Sequence, residues 1–408
     1  MKRNVLLIPM LAGLMLAASC SKDDGTSVVD EVVTPLSDVD QPVAQKTYPL
    51  TIQAKKEASV SKIGLGTDGL SQQFENSDKL LLTDETSGTV YAELTLQNGA
   101  GTTSATFSKA LSEEEKTSMT GKAIRAVIKG TDYADGIQSS TTSLEDAVRK
   151  YCYLEANSTF TYAEGAESFS TLTLVDQRAY IAFTVADGQK QVSLKKDGDA
   201  DYVWKPVSTT EPKVWFAVPE GTYSTRLIKK PLTAQKSNVY NAKCSNVVDL
   251  GPEWSILWKT TNETGGTATS YNQSDEETSV YKDEKYYNWS NACRAFGRES
   301  DEGYVTGSFR LPTQAEFIAL ANLANNTQFV THNGMACKEF TNDYGSVFFP
   351  AAGSDGGDGA GFYGVHWSGT EYVDNVYSAW YLGFDSGDAD VVWYNVKYEC
   401  SVRLVRGL

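Results

Sequence analysis

Two blocks, Phe309-Arg310-Leu311-Pro312-Thr313-Gln314-Ala315-Glu316-Phe317 and Ser401-Val402-Arg403-Leu404-Val405, bracket roughly the last hundred residues of the sequence. In the first, Thr313 and Glu316 stand at the N-cap and N3 positions of a capping box directly after Pro312. A helix therefore starts here, with Phe317, Leu320, Ala321 and Ala324 on its inner face. A second helix is predicted upstream, where Trp289, Ala292, Cys293 and Phe296 recur at i, i+3, i+4 and i+7 and Gly297 ends the pattern. Between the blocks lie a Gly-rich loop, Gly353 to Gly364, and an aromatic and acidic run from His366 to Cys400.

Upstream of a break at Asp249-Leu250-Gly251-Pro252 the pattern changes to period-two alternation, which buries one face of a strand and wets the other. One set of strands is expected at Leu50 to Ala54, Lys79 to Thr83, Val90 to Leu96, Ala105 to Phe107 and Ile124 to Ile128. A second set is expected at Phe169 to Val175, Tyr180 to Val185, Gln191 to Leu194, Lys213 to Val218 and Thr222 to Leu227. Turn signals at Asp187-Gly188, Asp197-Gly198 and Glu220-Gly221 separate these strands. The fold class that follows is mainly β: two sandwich modules, 47–160 and 161–250, then an α+β module over 251–408.

The chain starts with a positive Lys2-Arg3 region and an apolar stretch, Val5 to Ala18, which is short for a membrane span. Leu16-Ala17-Ala18-Ser19-Cys20 resembles a bacterial lipobox. That resemblance implies a signal peptide at 1–19, a lipid anchor on Cys20, and a linker over 20–46. Ser21-Lys22-Asp23-Asp24-Gly25 resembles the surface-export signal of Bacteroidales lipoproteins. The 408 residues carry a net charge of −16. From Gly251 onward there are 21 acidic and 10 basic residues, so most of the excess sits in the last module. Such a surface repels phosphate backbones, which argues against nucleic-acid partners.

In the middle of the chain, Phe74-Glu75-Asn76-Ser77-Asp78-Lys79-Leu80, Ser104-Ala105-Thr106-Phe107 and Trp215-Phe216-Ala217-Val218-Pro219-Glu220-Gly221-Thr222-Tyr223 resemble the fimbrillins, the pilin family of Bacteroidales. The resemblance implies two transthyretin-like sandwiches and pilin subunits as partners, joined by β-strand donation. Such donation would complete an open sheet edge. It also implies a freeing cleavage after a basic residue of the linker, with Lys46 as the candidate. In the last module, Tyr287-Asn288-Trp289-Ser290-Asn291-Ala292, the Arg310 block, Phe349-Pro350-Ala351-Ala352-Gly353, His366-Trp367-Ser368-Gly369-Thr370-Glu371, Ala379-Trp380-Tyr381-Leu382-Gly383-Phe384 and Ser401 to Val405 resemble the FISUMP-type branch of the C-type lectin fold. Its end looks like the variable region of retroelement-diversified proteins. The resemblance implies a frame of fixed residues, Trp367 and Trp380 among them, alternating with exposed, mutable ones that include Gly383 and Cys400.

The ligand face expected on this reading comprises His366, Tyr372, Val373, Asp374, Asn375, Tyr377, Tyr381, Asp385, Asp388, Asp390, Val392, Trp393, Tyr394, Asn395, Tyr398 and Glu399. Tyr and Trp supply rigid aromatic area, and Asn and Asp supply adaptable hydrogen bonds. The expected function is a cell-surface adhesin, at the tip of a pilus, for a host or microbial protein or glycan. The alternative is a monomeric glycan-binding lipoprotein.

Chemistry beyond binding finds little support. The Arg-Leu-Pro-Thr block is shared with formylglycine-generating enzymes, but Cys400 lacks the partner Cys or His which that activity needs. Asp388 and Asp390 are spaced like a hydrolytic pair without a desolvating environment to mark them. His332 and His366 are the only histidines. Neither a zinc spacing nor an EF-hand alternation occurs, so no cofactor or metal is expected. After Cys20, the remaining Cys152, Cys244, Cys293, Cys337 and Cys400 are odd in number, and no disulfide framework is expected.

Overall fold

The computed structural model describes residues 46–57, 73–163, 165, 169–263, 286–299, 309–323, 329–354 and 358–408. Cys20, the lipobox and the linker before Lys46 lie outside these residues, as do Ala324 and Asp355. Among the described residues no helix is long and apolar enough to cross a membrane.

The first module holds β1 (Tyr48–Lys56), β2 (Lys79–Asp84), β3 (Val90–Asn98), β4 (Ser104–Leu111), α1 (Glu113–Met119), β5 (Ala123–Lys129), β6 (Gln138–Ser140), α2 (Leu144–Tyr151), β7 (Tyr153–Ala156), β8 (Phe160–Thr161) and β9 (Leu172–Asp176). Alternation decides which side each strand buries: Leu50, Ile52 and Ala54 point inward while Gln53 and Lys55 face out. The sheet runs β2-β3-β4-β1-β9-β7-β5-β8 and returns on itself through a β2–β5 pairing. The expected first β module is thus one continuous sheet among the described residues. Closure leaves β1 with a partner on each side, β4 antiparallel and β9 parallel. The segment that a cut after Lys46 would remove lies outside the described residues. Strand β9, expected in the next module, belongs to this ring because its partners are β1 and β7.

The second module holds β10 (Arg178–Val185), β11 (Gln191–Lys196), β12 (Val203–Pro206), β13 (Lys213–Pro219), β14 (Gly221–Thr225), β15 (Ile228–Ala234), β16 (Val239–Cys244) and β17 (Val247–Val248). Two four-stranded sheets, β16-β10-β13-β6 and β12-β11-β14-β15, face each other. Ile181, Phe183, Val214 and Phe216 of one sheet share a core with Val192 and Leu194 of the other. The first module lends β6 to this sandwich, and α2 covers the sheet's outer face with Leu144 and Ala147 against Tyr180 and Trp215. Strand β10 is consequently buried on both faces.

The third module holds β18 (Ile256–Asn262), β19 (Tyr287–Asn288), α3 (Trp289–Phe296), β20 (Phe309–Arg310), α4 (Gln314–Ala321), β21 (Val330–His332), β22 (Met335–Thr341), β23 (Ser346–Pro350), β24 (Tyr363–Glu371), β25 (Ser378–Asp385), β26 (Ala389–Asn395), β27 (Glu399–Cys400) and β28 (Arg403–Gly407). Its first and last strands lie side by side in a β17-β18-β28-β20 sheet. Both expected helices form. Asn288 caps α3, and Thr313 with Glu316 makes the capping box of α4. A polar knot ties this module to the sandwich. Arg226, held by both Asp249 carboxylate oxygens (2.8 and 3.2 Å), donates across the boundary to the Gly251 carbonyl (2.8 Å), and the Lys190 and Gln191 N–H groups donate to the Tyr344 carbonyl.

Candidate functional site

The aromatic and acidic run folds into a three-stranded sheet, β24-β25-β26, whose strand β24 is held by the block from Phe309 to Phe317. The Gly369 N–H donates to the Pro312 carbonyl (2.8 Å), and the Gln314 N–H donates to the Thr370 hydroxyl (2.8 Å). Two indoles lock the other side: Trp367 Nε1 donates to the Tyr287 carbonyl (2.7 Å) and Trp289 Nε1 to the Ser368 carbonyl (2.8 Å). The Gly-rich loop is pinned at its ends, where the Gly353 N–H donates to the Tyr363 carbonyl. Gly364 is required for packing, since a Cβ there would sit 2.3 Å from the Phe384 ring.

Each face of this sheet meets its own core. Leu382 and Phe384 join Trp258, Phe317 and Phe349 on one side. Val365, Trp367 and Ala379 join Tyr287, Leu311 and Val402 on the other. Strand β24 is therefore buried continuously from Gly364 to Gly369, whereas β26 at the sheet's margin is exposed along most of its length.

Of the expected ligand residues, Val373, Asp374, Asn375, Tyr377, Asp385, Asp388, Asp390, Val392, Trp393, Tyr394, Asn395 and Tyr398 are exposed, and Tyr372, Tyr381 and Glu399 are half-buried. They gather as two aromatic groups. Tyr372 stacks on Trp393 with centroids 5.1 Å apart and meets Trp380 edge-on at 5.3 Å. Tyr394 lies 4.3 Å from Tyr398 and 5.5 Å from Tyr381. The β24–β25 and β25–β26 registers place these groups on opposite faces of the sheet, since Trp380 pairs with Trp393 and Ala379 with Tyr394. Tyr381 leans on Trp367 at 6.1 Å, and burial pushes its hydroxyl above the ordinary value.

His366 does not belong to this face. It is fully buried, stacked 5.8 Å from Phe384, and its Nε2 lies 3.2 Å from Asn262 Oδ1. That oxygen accepts from Arg403 Nε as well (2.8 Å), so the imidazole is the donor and carries its proton on Nε2. Burial, with the Arg403 cation adding to it, holds the ring neutral, well below the usual imidazole range. Cys400 and Gly383, expected as mutable, are constrained too. The thiol is fully buried, and a Cβ at 383 would meet the Tyr381 ring at 2.9 Å. Asp385 is exposed but occupied: it accepts from the Gly387 and Asp388 N–H groups, and these bonds hold its carboxyl below the usual range.

Sequence reasoning missed Val376 (83 % exposed) and Phe362 (77 % exposed). Val376 lies in the same turn as Asn375 and Tyr377, so its neighbours were signal enough. Trp380, expected in the frame, is half-buried and joins the outer aromatic group. Among the described residues no group of His, Cys, Asp and Glu could hold a metal ion. All five described cysteines are buried and no two of them form a disulfide.

No family model and no curated protein matches the chain. Solved structures to which it is similar include a fimbrial assembly protein from Parabacteroides distasonis, 12 % identical over 48 % of this chain and 90 % of that one, with a TM-score of 0.27. A fimbrial protein from Bacteroides ovatus is 9 % identical over 89 % of this chain and all of its own (TM-score 0.24). The tip fimbrial protein Mfa3 from Porphyromonas gingivalis, with a C-terminal truncation, is 9 % identical over 43 % of this chain and 70 % of its own (TM-score 0.22). Scores this low do not establish a common fold.

Proposed function

We propose that this chain is an exported, lipid-anchored cell-surface adhesin of fimbrillin type. Its third module is a C-type-lectin-like recognition domain that presents the margin of the β24-β25-β26 sheet to a protein or glycan. One observation carries the reading: Val373, Val376, Tyr377, Trp393, Tyr394 and Tyr398 are exposed together on turns and a marginal strand whose supporting sheet is buried on both faces. Large apolar side chains left in water in two groups along one sheet margin mark a recognition site. Tyr and Trp on a fixed backbone lose little entropy when a ligand orders them. The lipobox at Cys20 supports export and anchoring.

As a pilus tip subunit the chain would receive a donor strand and offer none, with its recognition module facing away from the fibre. Among the described residues the edges left for a donor in the second sandwich are β12, β15, β16 and the borrowed β6. A monomeric glycan-binding lipoprotein is the second reading, and closure of the first ring favours it.

The test is an array of bacterial and mammalian glycans and extracellular-matrix proteins, probed with the intact chain and with Trp393→Ala/Tyr394→Ala. The expected result is binding to at least one class of array member that the double variant weakens tenfold or more, about 1.4 kcal/mol, with an unchanged Tm. Equal binding by both proteins, or none by the parent, would overturn the proposal. Co-purification with pilin subunits separates tip subunit from monomer.

A further inference from the structure

We propose that β26 receives an extended, basic polypeptide segment as a fourth strand of the β24-β25-β26 sheet. The inference rests on the recognition reading above and names the class of its ligand. It concerns a different edge from the one a pilin donor strand would use.

The hydrogen-bond phase of the β25–β26 hairpin fixes which backbone groups are available. The Asp385 N–H donates to the Asp388 carbonyl at 3.0 Å. Residue pairs along an antiparallel ladder alternate between hydrogen-bonded and non-hydrogen-bonded. Counting from that bond along the register, Gly383/Asp390, Tyr381/Val392 and Ala379/Tyr394 are the bonded pairs. The N–H and C=O groups of Ala389, Val391 and Trp393 therefore point away from β25. Among the described residues no strand pairs with that side. At Asn395 the outward carbonyl is already taken by the Tyr398 N–H (3.1 Å), which sets the end of the usable edge.

Natural sheets protect such an edge with bulges, prolines or lysines. Strand β26, Ala389-Asp390-Val391-Val392-Trp393-Tyr394-Asn395, has none of these, and its seven-residue register with β25 is unbroken. An added strand would lay alternate side chains against the Tyr372/Trp380/Trp393 group on one face and the Tyr381/Tyr394/Tyr398 group on the other. Charge gives the sign of the partner. Residues 371–400 hold six carboxylates and one cation, Lys397, and Asp388 and Asp390 are exposed at the edge's start. The outward groups repeat every second residue, roughly 6.6–6.8 Å, which is the repeat of another strand. Backbone bonds would supply affinity, and the two aromatic groups would select side chains.

The experiment selects phage-displayed random 12-residue peptides on the intact chain, then synthesises the most enriched one in three forms. One is unmodified, and the other two are N-methylated at alternate residues, on the odd or the even set. Expected results are enrichment of Lys or Arg alternating with β-branched residues, and loss of at least tenfold in affinity for one methylation set only. Hydrogen exchange at the Val391 and Trp393 amides should slow tenfold or more in the complex. Failure to enrich any peptide, or equal binding by all three forms, overturns the proposal. A glycan that binds in a Trp393-dependent way without protecting those two amides sinks the added strand while leaving the recognition reading standing.

Discussion

Strands β24 and β26 flank the same central strand and carry the same kinds of residue, yet their fates are opposite. In β24, Trp367 and His366 are fully buried on alternate faces, each in its own core. In β26, Trp393 keeps half of its surface in water. What covers each strand makes the difference. Strand β24 is covered by α3 and the Tyr287 side on one face and by the Phe349 side on the other, whereas β26, among the described residues, packs on α4 and the Phe349 core with Ala389 and Val391 alone. Aromatic side chains serve as frame where both faces are covered and as display where the sheet ends.

Substitutions can break or sharpen that contrast. Trp367→Ala should have the largest effect: losing a fully buried indole and its bond to the Tyr287 carbonyl costs about 3–5 kcal/mol. Urea unfolding of the third module's transition reads this directly. Asn262→Ala removes the oxygen that accepts from both Arg403 and His366, leaving buried donors without it at about 2–3 kcal/mol. The same denaturation measures it.

The His366 ring contributes a pH signature. Its folded-state pKa lies below the ordinary value near 6.5, so the unfolded chain takes up the proton first. Stability is full above about pH 6.5 and falls below it, by about 1.4 kcal/mol per pH unit until the folded ring titrates. His366→Gln should flatten that slope below about pH 6.5. A slope unchanged by the substitution would place the ring outside the core. At the small end, Trp393→Ala should shift stability by no more than about 0.5 kcal/mol while weakening ligand capture.

Much of this was legible in the sequence because local rules carried it. The capping box at Thr313 and Glu316, the stripe of Trp289, Ala292 and Cys293, and the alternation of Leu50, Ile52 and Ala54 need only near neighbours. Helix α1 was equally legible and overlooked, since Ser112 and Glu115 form a capping box too. What stayed hidden depends on contacts far along the chain. The ring closure through β2 and β5 and the placement of β9 beside β1 are pairings that no window of ten residues reveals. His366 was misplaced for a related reason: alternation implies one wet face, and β24 has none. The same doubly buried strand fixes Cys400 and Val402 behind it, so chemical variety in the run from His366 to Cys400 was a poor guide to exposure there. On β26 it was a good one.

Hydroxyl-radical footprinting of the intact chain in solution, read residue by residue by mass spectrometry, tests the contrast most directly. Trp393, Tyr377 and Tyr398 should oxidise quickly while Trp367 and Trp258 stay protected. Protection of Trp393 equal to that of Trp367 would contradict the account.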